Sequence, residues 1–222
     1  MVRRFFAAVV LLLGGCLASF AGTLNFNFTG NFTYDNDVQL FTVTLAVPET
    51  LTAWTTSGAT GGFPTYLAMF DGAGNGMTQQ SGDPTCLNGF SSYSPAGCND
   101  AEVSEPPSGT IAAGTYIIAL TQWDNGMLGN LSDGFFYVDL IPDPNFTAEN
   151  GCDGTGYFCD PGTMTYDSSN WALTIQLSNP DLPALGSASE EGLSPIPEPS
   201  SALLVMGGLA AAWYMRSRKR RA

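Results

Sequence analysis

The chain of 222 residues carries 20 acidic residues, seven basic residues and no histidine, so its formal net charge is −13 at pH 7. The basic residues lie at the two ends, and residues 5–215 contain no Lys, Arg or His. This composition excludes from that region catalysis by a histidine triad, Schiff-base lysines, and the electrostatic attraction that dominates nucleic-acid binding.

The first 21 residues have the layout of a secretory signal peptide. Two arginines precede an apolar run at 5–13, which is too short to span a membrane stably, and small residues follow it. We predict cleavage after Ala21, with Ala18 as the second choice, and hence removal of residues 1–21. An uncleaved anchor helix is less favoured, because small and polar residues end the apolar run early.

Two details of this N-terminus leave other export routes open. Residues 13–16, Leu-Gly-Gly-Cys, resemble a lipobox, in which Cys16 would become the lipidated N-terminus of a lipoprotein. Arg3 and Arg4 faintly resemble a twin-arginine signal, although paired arginines are common in ordinary signal peptides. We favour the ordinary signal peptide, from which Cys16 is lost on cleavage.

Residues 22–178 show the two-residue periodicity of β-strands and no convincing amphipathic helix. In 41–47 and 171–178, large apolar residues alternate with Thr, Ala, Gln or Ser, and turn-forming Gly, Asn and Asp residues separate the strand segments. The pattern predicts an all-β domain built as a single β-sandwich. The predicted strands lie at residues 26–34, 41–47, 51–56, 66–70, 115–123, 135–140 and 171–178.

Two motifs in the middle of the chain resemble those of pre-peptidase C-terminal domains. Residues 66–75 form a predicted strand that ends in an Asp-Gly turn, and residues 111–120 contain the sequence Ala-Gly-Thr-Tyr before a second apolar strand. The resemblance covers residues 26–178 and implies a jelly-roll-like β-sandwich of the kind appended to secreted proteins. Because these motifs serve turns and core packing, they bear on fold and secretion and not on activity.

Removal of the signal peptide would leave four cysteines, an even number in an exported chain. Each lies in a stretch rich in Gly, Pro or Asp, where a disulfide would hold a loop that has little core of its own. We predict two local disulfides, Cys86–Cys98 and Cys152–Cys159. A zinc site is the alternative, but the spacings are not those of zinc ligands and the chain has no histidine.

Surplus carboxylates make calcium the metal that this composition favours, because calcium takes oxygen ligands. The turn that begins at Asp71 starts like an EF-hand loop, but Ala73 and Gly82 stand where two further ligands are needed. We therefore expect no cofactor other than a looser calcium site, which would draw on Asp71, Asp124, Asn125 or Asp133.

Enzyme chemistry based on carboxylates alone is compatible with the composition, because two acids suffice for a glycosidase. The candidates are Asp124, Asp133 and Asp139, which lie near predicted strand ends. Asp is also the ordinary residue of Asp-Asn-Gly and Ser-Asp-Gly turns. We favour a structural role for these residues and expect no enzymatic activity.

The C-terminal part of the chain changes character twice. Residues 179–194 are rich in Pro, Ser and Glu and predict an extended linker. The motif Pro197-Glu198-Pro199 then precedes an apolar stretch at 200–215, which we expect to form a short transmembrane helix. Sixteen helical residues span about 24 Å, which is marginal against a hydrocarbon core of about 30 Å.

A basic end follows this stretch and, under the positive-inside rule, would stay in the cytoplasm. It consists of Arg216, Arg218, Lys219, Arg220 and Arg221. In this order the three elements, residues 195–222, resemble a PEP-CTERM sorting signal. The resemblance implies processing near the Pro-Glu-Pro element by an exosortase, a membrane cysteine protease of Gram-negative bacteria that make exopolysaccharide. A simple tail anchor behind a proline-rich stalk is the alternative.

Together these features predict a protein exported through the inner membrane, held there transiently, and released to the outer surface or extracellular matrix. Its expected role is structural or adhesive, with exosortase as the processing partner and exopolysaccharide and biofilm as the context. The alternative is a secreted polysaccharide hydrolase that acts through carboxylates. No nucleic-acid partner is expected, because residues 5–215 carry all 20 acidic residues and no basic one.

Overall fold

The computed structural model describes residues 22–58, 61–82, 100–106, 109–150, 152–154, 156–160, 164–179 and 184–191. The chain divides into two compact units, residues 1–190 and 191–222, and the fold described below belongs to the first. The predicted signal peptide, the whole sorting signal at 195–222 with its Pro-Glu-Pro motif, apolar stretch and basic end, and Cys86 and Cys98 lie outside the described residues. Within the described part, no helix is long and apolar enough to cross a membrane.

The described residues contain eleven β-strands, which confirms the all-β prediction. In chain order they are β1 (Gly22–Asn31), β2 (Val38–Leu45), β3 (Thr50–Thr55), β4 (Thr65–Asp71), β5 (Gly76–Ser81), β6 (Glu102–Glu105), β7 (Gly114–Gln122), β8 (Cys159–Asp160), β9 (Thr165–Tyr166), β10 (Asn170–Asn179) and β11 (Gly186–Glu190). In the connection after β7 the described residues form three short helices: Leu131–Asp133, Phe136–Leu140 and Phe146–Asn150.

Two antiparallel sheets pack face to face and form a β-sandwich. Sheet A has the strand order β1-β10-β3-β6, and sheet B has the order β11-β2-β7-β4-β5. The ring of Phe41 in sheet B lies 5.0 Å from that of Phe28 and 5.8 Å from that of Trp171, both in sheet A. These inter-sheet contacts place the main core between the two sheets.

The core follows from the alternation that the sequence displays. In β2 every second residue, including Phe41 and Val43, is buried, and in β10 the same holds for Leu173, Ile175 and Leu177. Their neighbours in sequence point away from the core because successive side chains of a strand face opposite sides. Full burial of one such side chain stabilises the fold by about 1.5–3 kcal/mol.

Strand β4 departs from this alternation, because both of its faces are buried. Leu67 and Met69 belong to the core between the sheets, whereas Tyr66, Ala68 and Phe70 face outward and are buried as well. The connection after β7, residues 123–150, packs against Tyr66 on that side: the Met127 amide donates a 3.3 Å hydrogen bond to the Tyr66 hydroxyl. We call this connection the cover segment.

The prediction of a strand at 135–140 is wrong. Residues Phe136–Leu140 form a single π-helical turn, which the amide of Ile141 closes by donating to the Phe136 carbonyl at 2.9 Å. The Asp139 carboxylate accepts a 2.8 Å hydrogen bond from the Phe135 amide, four residues back. This local side-chain acceptor favours a turn over a strand, although the residues themselves are aromatic and β-branched types that strands prefer.

The predicted linker at 179–194 includes a strand, so its assignment as a linker is wrong for residues 186–190. Strand β11 pairs antiparallel with β2 from Gly186 opposite Leu45 to Glu190 opposite Phe41. The amide of Leu185 donates to the buried carboxylate of Glu49. The first unit therefore extends beyond the predicted domain end at residue 178. The sequence of β11 did not predict a strand, because its residues are small or polar, such as Ala188.

One of the two predicted disulfides, Cys152–Cys159, is confirmed, with 6.1 Å between its Cα atoms. It closes a loop beside a buried carboxylate, Asp35. The Asp35 side chain accepts hydrogen bonds from the Phe158 amide at 2.6 Å, from the Thr147 amide at 3.0 Å and from the Thr147 hydroxyl. Asp35 thus joins the β1–β2 connection to two parts of the chain more than 100 residues away.

Candidate functional site

A shallow pocket of about 230 Å³ opens on the cover segment. Its lining combines one carboxylate, two aromatic rings, a thioether and a glycine. The residues are Asp124, Gly126, Met127, Phe136 and Tyr137. Two of the four residues predicted for a metal site belong to this region. Asp124 lines the pocket, and Asn125 is buried beneath it.

The two aromatic residues of the pocket owe their positions to the π-helical turn at Phe136–Leu140. Single π-helical turns are rare and occur often at functional sites. The rings of Phe136 and Tyr137 lie 4.9 Å apart and meet edge to face. Tyr137 also stacks in parallel on Phe146, with ring centroids 3.9 Å apart.

Asn125 holds the backbone of this turn from below. Its side chain is fully buried; its carbonyl oxygen accepts a 2.9 Å hydrogen bond from the Tyr137 amide, and its amide group donates to the Asn36 carbonyl at 3.1 Å. The Asn36 side chain in turn donates to the Tyr137 carbonyl at 3.1 Å. Both backbone groups of Tyr137 are therefore fixed, and the pocket is held in shape before any ligand arrives.

Asp124 supplies the charge of the pocket. The residue is exposed overall, but partial burial of its carboxyl group raises its pKa, while a hydrogen bond from the Tyr137 hydroxyl at 3.2 Å opposes that shift. No basic side chain stands anywhere between residues 5 and 215. The negative charge of Asp124 is therefore balanced by no cation of the described chain.

This arrangement is suited to binding. Aromatic faces pack against apolar surface, and carboxylate oxygens accept hydrogen bonds from hydroxyl or amino groups. Hydrolysis of a glycosidic bond needs a second carboxyl group at a set distance from the first. Among the described residues that line the pocket, Asp124 is the one carboxylate.

The other two residues predicted for a calcium site serve turns. Asp71 accepts hydrogen bonds from the amides of Ala73 and Asn75, each at 2.9 Å, and from the Asn75 side chain at 2.7 Å. The bonds from Asn75 and the backbone lower the pKa of Asp71. Asp133 accepts from the Asn130 amide at 2.8 Å.

The Asp71 and Asp133 turns lie side by side, because the Leu131 amide donates to the Gly74 carbonyl at 2.8 Å. Within the described residues, however, no three acidic or cysteine side chains come together in a group that could hold a metal ion. Calcium binding stays a prediction, and the structure assigns the four residues to turns and to the pocket.

Of the three acids considered for hydrolysis, Asp139 accepts a hydrogen bond from the Phe135 amide and Asp133 accepts one from the Asn130 amide, so one oxygen of each carboxylate serves the backbone. A different acid, Asp167, has a strongly raised pKa. Burial, together with the nearby charge of Asp160, raises the pKa of Asp167 to about 6. Sequence reasoning did not single out Asp160 or Asp167, because nothing in their local pattern marks them.

The fold and the pocket together define an all-β sandwich domain with a small, aromatic and acidic surface site. No protein-family model matches the chain, and no curated protein sequence matches it significantly. Sequence reasoning also missed Phe136 and Tyr137 as site residues, since it placed them in a strand. The adjacent Ser-Asp-Gly turn and the Phe-Phe-Tyr run at 135–137 were the available signal.

Proposed function

We propose that this protein is exported, sorted by an exosortase, and retained at the cell surface or in the extracellular matrix, where it binds exopolysaccharide. The support for sorting is the order of elements at 195–222, a Pro-Glu-Pro motif, an apolar stretch and five basic residues. The support for export is the layout of residues 1–21. The binding role is carried by one observation, the preformed pocket that sets Asp124 beside Phe136 and Tyr137.

We also propose that the domain is a jelly roll. Eight strands, β1–β7 and β10, pair as a long hairpin rolled on itself would pair them: first with eighth, second with seventh, third with sixth, and fourth with fifth. The order of strands in each sheet supports the same topology. β11 then adds a fifth strand to sheet B.

Retention of the secreted protein on isolated exopolysaccharide would test the binding role. We expect Tyr137→Leu to weaken retention about ten-fold, because one stacking ring is worth about 0.5–1.5 kcal/mol beyond its buried area. Trp54→Ala is the matched control, since Trp54 lies on the outward face of sheet A and is partly exposed. If Trp54→Ala weakened retention and Tyr137→Leu did not, the binding surface would lie on sheet A and not at the pocket.

Intact mass of the protein recovered from its native cells would test sorting. We expect a product that lacks residues 1–21 and the segment after the Pro-Glu-Pro motif. Replacement of the five basic residues by Gln should leave the tail unprocessed, because the basic end holds the segment in place. A full-length membrane-bound product of the native chain would contradict exosortase processing and favour the simple tail anchor.

A secreted polysaccharide hydrolase is the second candidate, and one observation favours it. A general acid needs a raised pKa, and Asp167, with its pKa raised to about 6 beside Asp160, has one. Release of reducing ends from exopolysaccharide, abolished by Asp167→Asn and unaffected by Glu190→Gln, would support hydrolysis. If the protein binds exopolysaccharide without releasing reducing ends, the result favours the adhesive function over hydrolysis.

A further inference from the structure

We infer that the pocket formed by Asp124, Phe136 and Tyr137 takes a protonated amino group carried by a sugar ring, so that the favoured polysaccharide contains free amino sugars. This inference rests on the proposed polysaccharide binding and adds the chemical class of the residue that is bound. Three properties of the site lead to it: an uncompensated charge, a fixed tyrosine ring beside a second aromatic ring, and a small volume.

The charge comes first. Tyr137 is the hydrogen-bond partner that the described residues supply to the Asp124 carboxylate, and a phenol hydroxyl is neutral. Partial burial of the carboxyl group raises its pKa, which means that its charge is poorly solvated. An ammonium group on a ligand would supply the missing cation and a charge-assisted hydrogen bond.

The rings favour the same ligand. A cation that lies over the face of Tyr or Phe is attracted by the ring quadrupole, so aromatic lining adds to the attraction that a carboxylate exerts on an ammonium group. Aromatic faces also accept the apolar C–H face of a sugar. Because Tyr137 is stacked on Phe146 and its backbone is held by Asn125 and Asn36, its ring is in place before binding.

The volume of the pocket and the net charge of the domain limit which sugars can bind. Pockets for drug-sized ligands measure about 300–1,000 Å³, so a pocket of about 230 Å³ suits a single sugar ring. A uronic acid would bring a second negative charge to a domain that has 20 acidic residues and no basic one between residues 5 and 215. A neutral sugar would leave the Asp124 charge uncompensated.

The test compares three probes on the secreted protein by calorimetry at about pH 6, where an aliphatic amine is protonated: a glucosamine pentamer, its fully N-acetylated counterpart, and tetralysine. We expect the glucosamine pentamer to bind about ten-fold more tightly than the N-acetylated one, which corresponds to about 1.4 kcal/mol. Asp124→Asn should abolish most of that difference. Glu190→Gln, an exposed change of the same charge on β11, should preserve it.

Each other outcome overturns the inference in a recognisable way. Equal binding of both pentamers that is lost with Tyr137→Leu would reject the amine and keep polysaccharide binding. Binding of neither pentamer, together with no retention on exopolysaccharide, would reject the proposed function as well. Tight, Asp124-dependent binding of tetralysine alone would point to a basic protein. Equal losses with Asp124→Asn and Glu190→Gln would show non-specific attraction of a polycation.

Discussion

At the scale of single residues, buried carboxylates do much of the structural work that ion pairs do elsewhere. Asp35 is fully buried and accepts three hydrogen bonds from Thr147 and Phe158. Burial raises its pKa, and these bonds oppose the shift. With no basic side chain available, backbone amides and a hydroxyl take the place of a counter-ion, and they join parts of the chain that lie far apart in sequence.

We expect Asp35→Ala to lower the free energy of unfolding by about 3 kcal/mol, because it leaves buried donors on Thr147 and Phe158 without an acceptor. Urea denaturation followed by Trp fluorescence would measure the loss. Glu190→Ala, an exposed change on β11, is the control and should stay within about 0.5 kcal/mol of the parent. Equal stabilities of the two variants would contradict the role assigned to Asp35.

Asp167 gives the stability a defined dependence on pH. Its pKa in the folded protein is about 6, above the ordinary value of 3.8, because of burial and the charge of Asp160. The folded state therefore holds the Asp167 proton more tightly than the unfolded state does. The stability that this proton contributes is fully present below the ordinary pKa and is lost as the pH rises through about 6. We expect Tm to fall between about pH 4 and about pH 6.5, and Asp167→Asn to reduce that fall. An unchanged pH profile in the variant would assign the effect to other acids.

At the scale of elements, the π-helical turn depends on the glycine that precedes it. Gly134 has φ +80 and ψ −155, a region almost restricted to glycine. A Cβ atom there would lie only 1.9 Å from a carboxylate oxygen of Asp139, the residue that accepts from the Phe135 amide. The sharp bend at Gly134 thus allows the turn that presents Phe136 and Tyr137.

Gly134→Ala should cost about 2–3 kcal/mol and also weaken ligand retention, because strain and the contact with Asp139 both displace the turn. Gly61→Ala is a matched control: Gly61 has φ +81, but no atom lies within 4 Å of its Cβ position. It should cost about 1 kcal/mol and leave retention unchanged. Denaturation and retention would be measured on both variants. A loss of stability alone indicates backbone strain, whereas an added loss of retention indicates displacement of the site.

Strand β11 is held at the edge of sheet B by its pairing with β2 and by Glu49. Glu49 is fully buried, and its second oxygen, Oε2, has no hydrogen-bond partner among the residues that the structure describes. We expect Glu49→Ala to reduce the hydrogen-exchange protection of amides 186–190 about ten-fold or more, because the Leu185 amide loses its acceptor. Glu49→Gln, which keeps an acceptor and removes the charge, should retain protection. Equal protection in all three proteins would rule out this role.

At the scale of the whole molecule, repulsion between carboxylates lowers the stability of the folded state. All 20 acidic residues and no basic residue lie between residues 5 and 215, so no ion pair can form within that region. Stability there rests on the apolar core between the sheets, on hydrogen bonds and on the Cys152–Cys159 disulfide. Mutual repulsion of the carboxylates keeps the domain soluble and opposes compaction.

Sodium chloride should therefore raise Tm, because screening relieves the repulsion. The calcium prediction is tested in the same experiment: millimolar calcium should raise Tm more than magnesium at equal ionic strength, since a site selects ions by size and ligand number. Identical effects of the two ions would contradict a calcium site. A fall of Tm with sodium chloride would contradict the repulsion argument.

Features that depend on near neighbours and on composition could be predicted from the sequence alone. Alternation in β2 and β10 identified their core residues, because period two is a local property of strands. The disulfide Cys152–Cys159 joins residues seven apart. The lack of basic residues and histidine excluded whole classes of chemistry without any structure.

Features whose stabilising partners are distant in the chain could be seen only in the folded structure. β11 has almost no apolar signal of its own and exists because β2 and Glu49, more than 130 residues earlier, supply its hydrogen bonds. The π-helical turn has strand-like residues, and Asn36, 101 residues away, helps to hold it. The pocket joins both kinds of information: Asp124 was recognisable as a turn acid, whereas its aromatic neighbours were placed only by the fold.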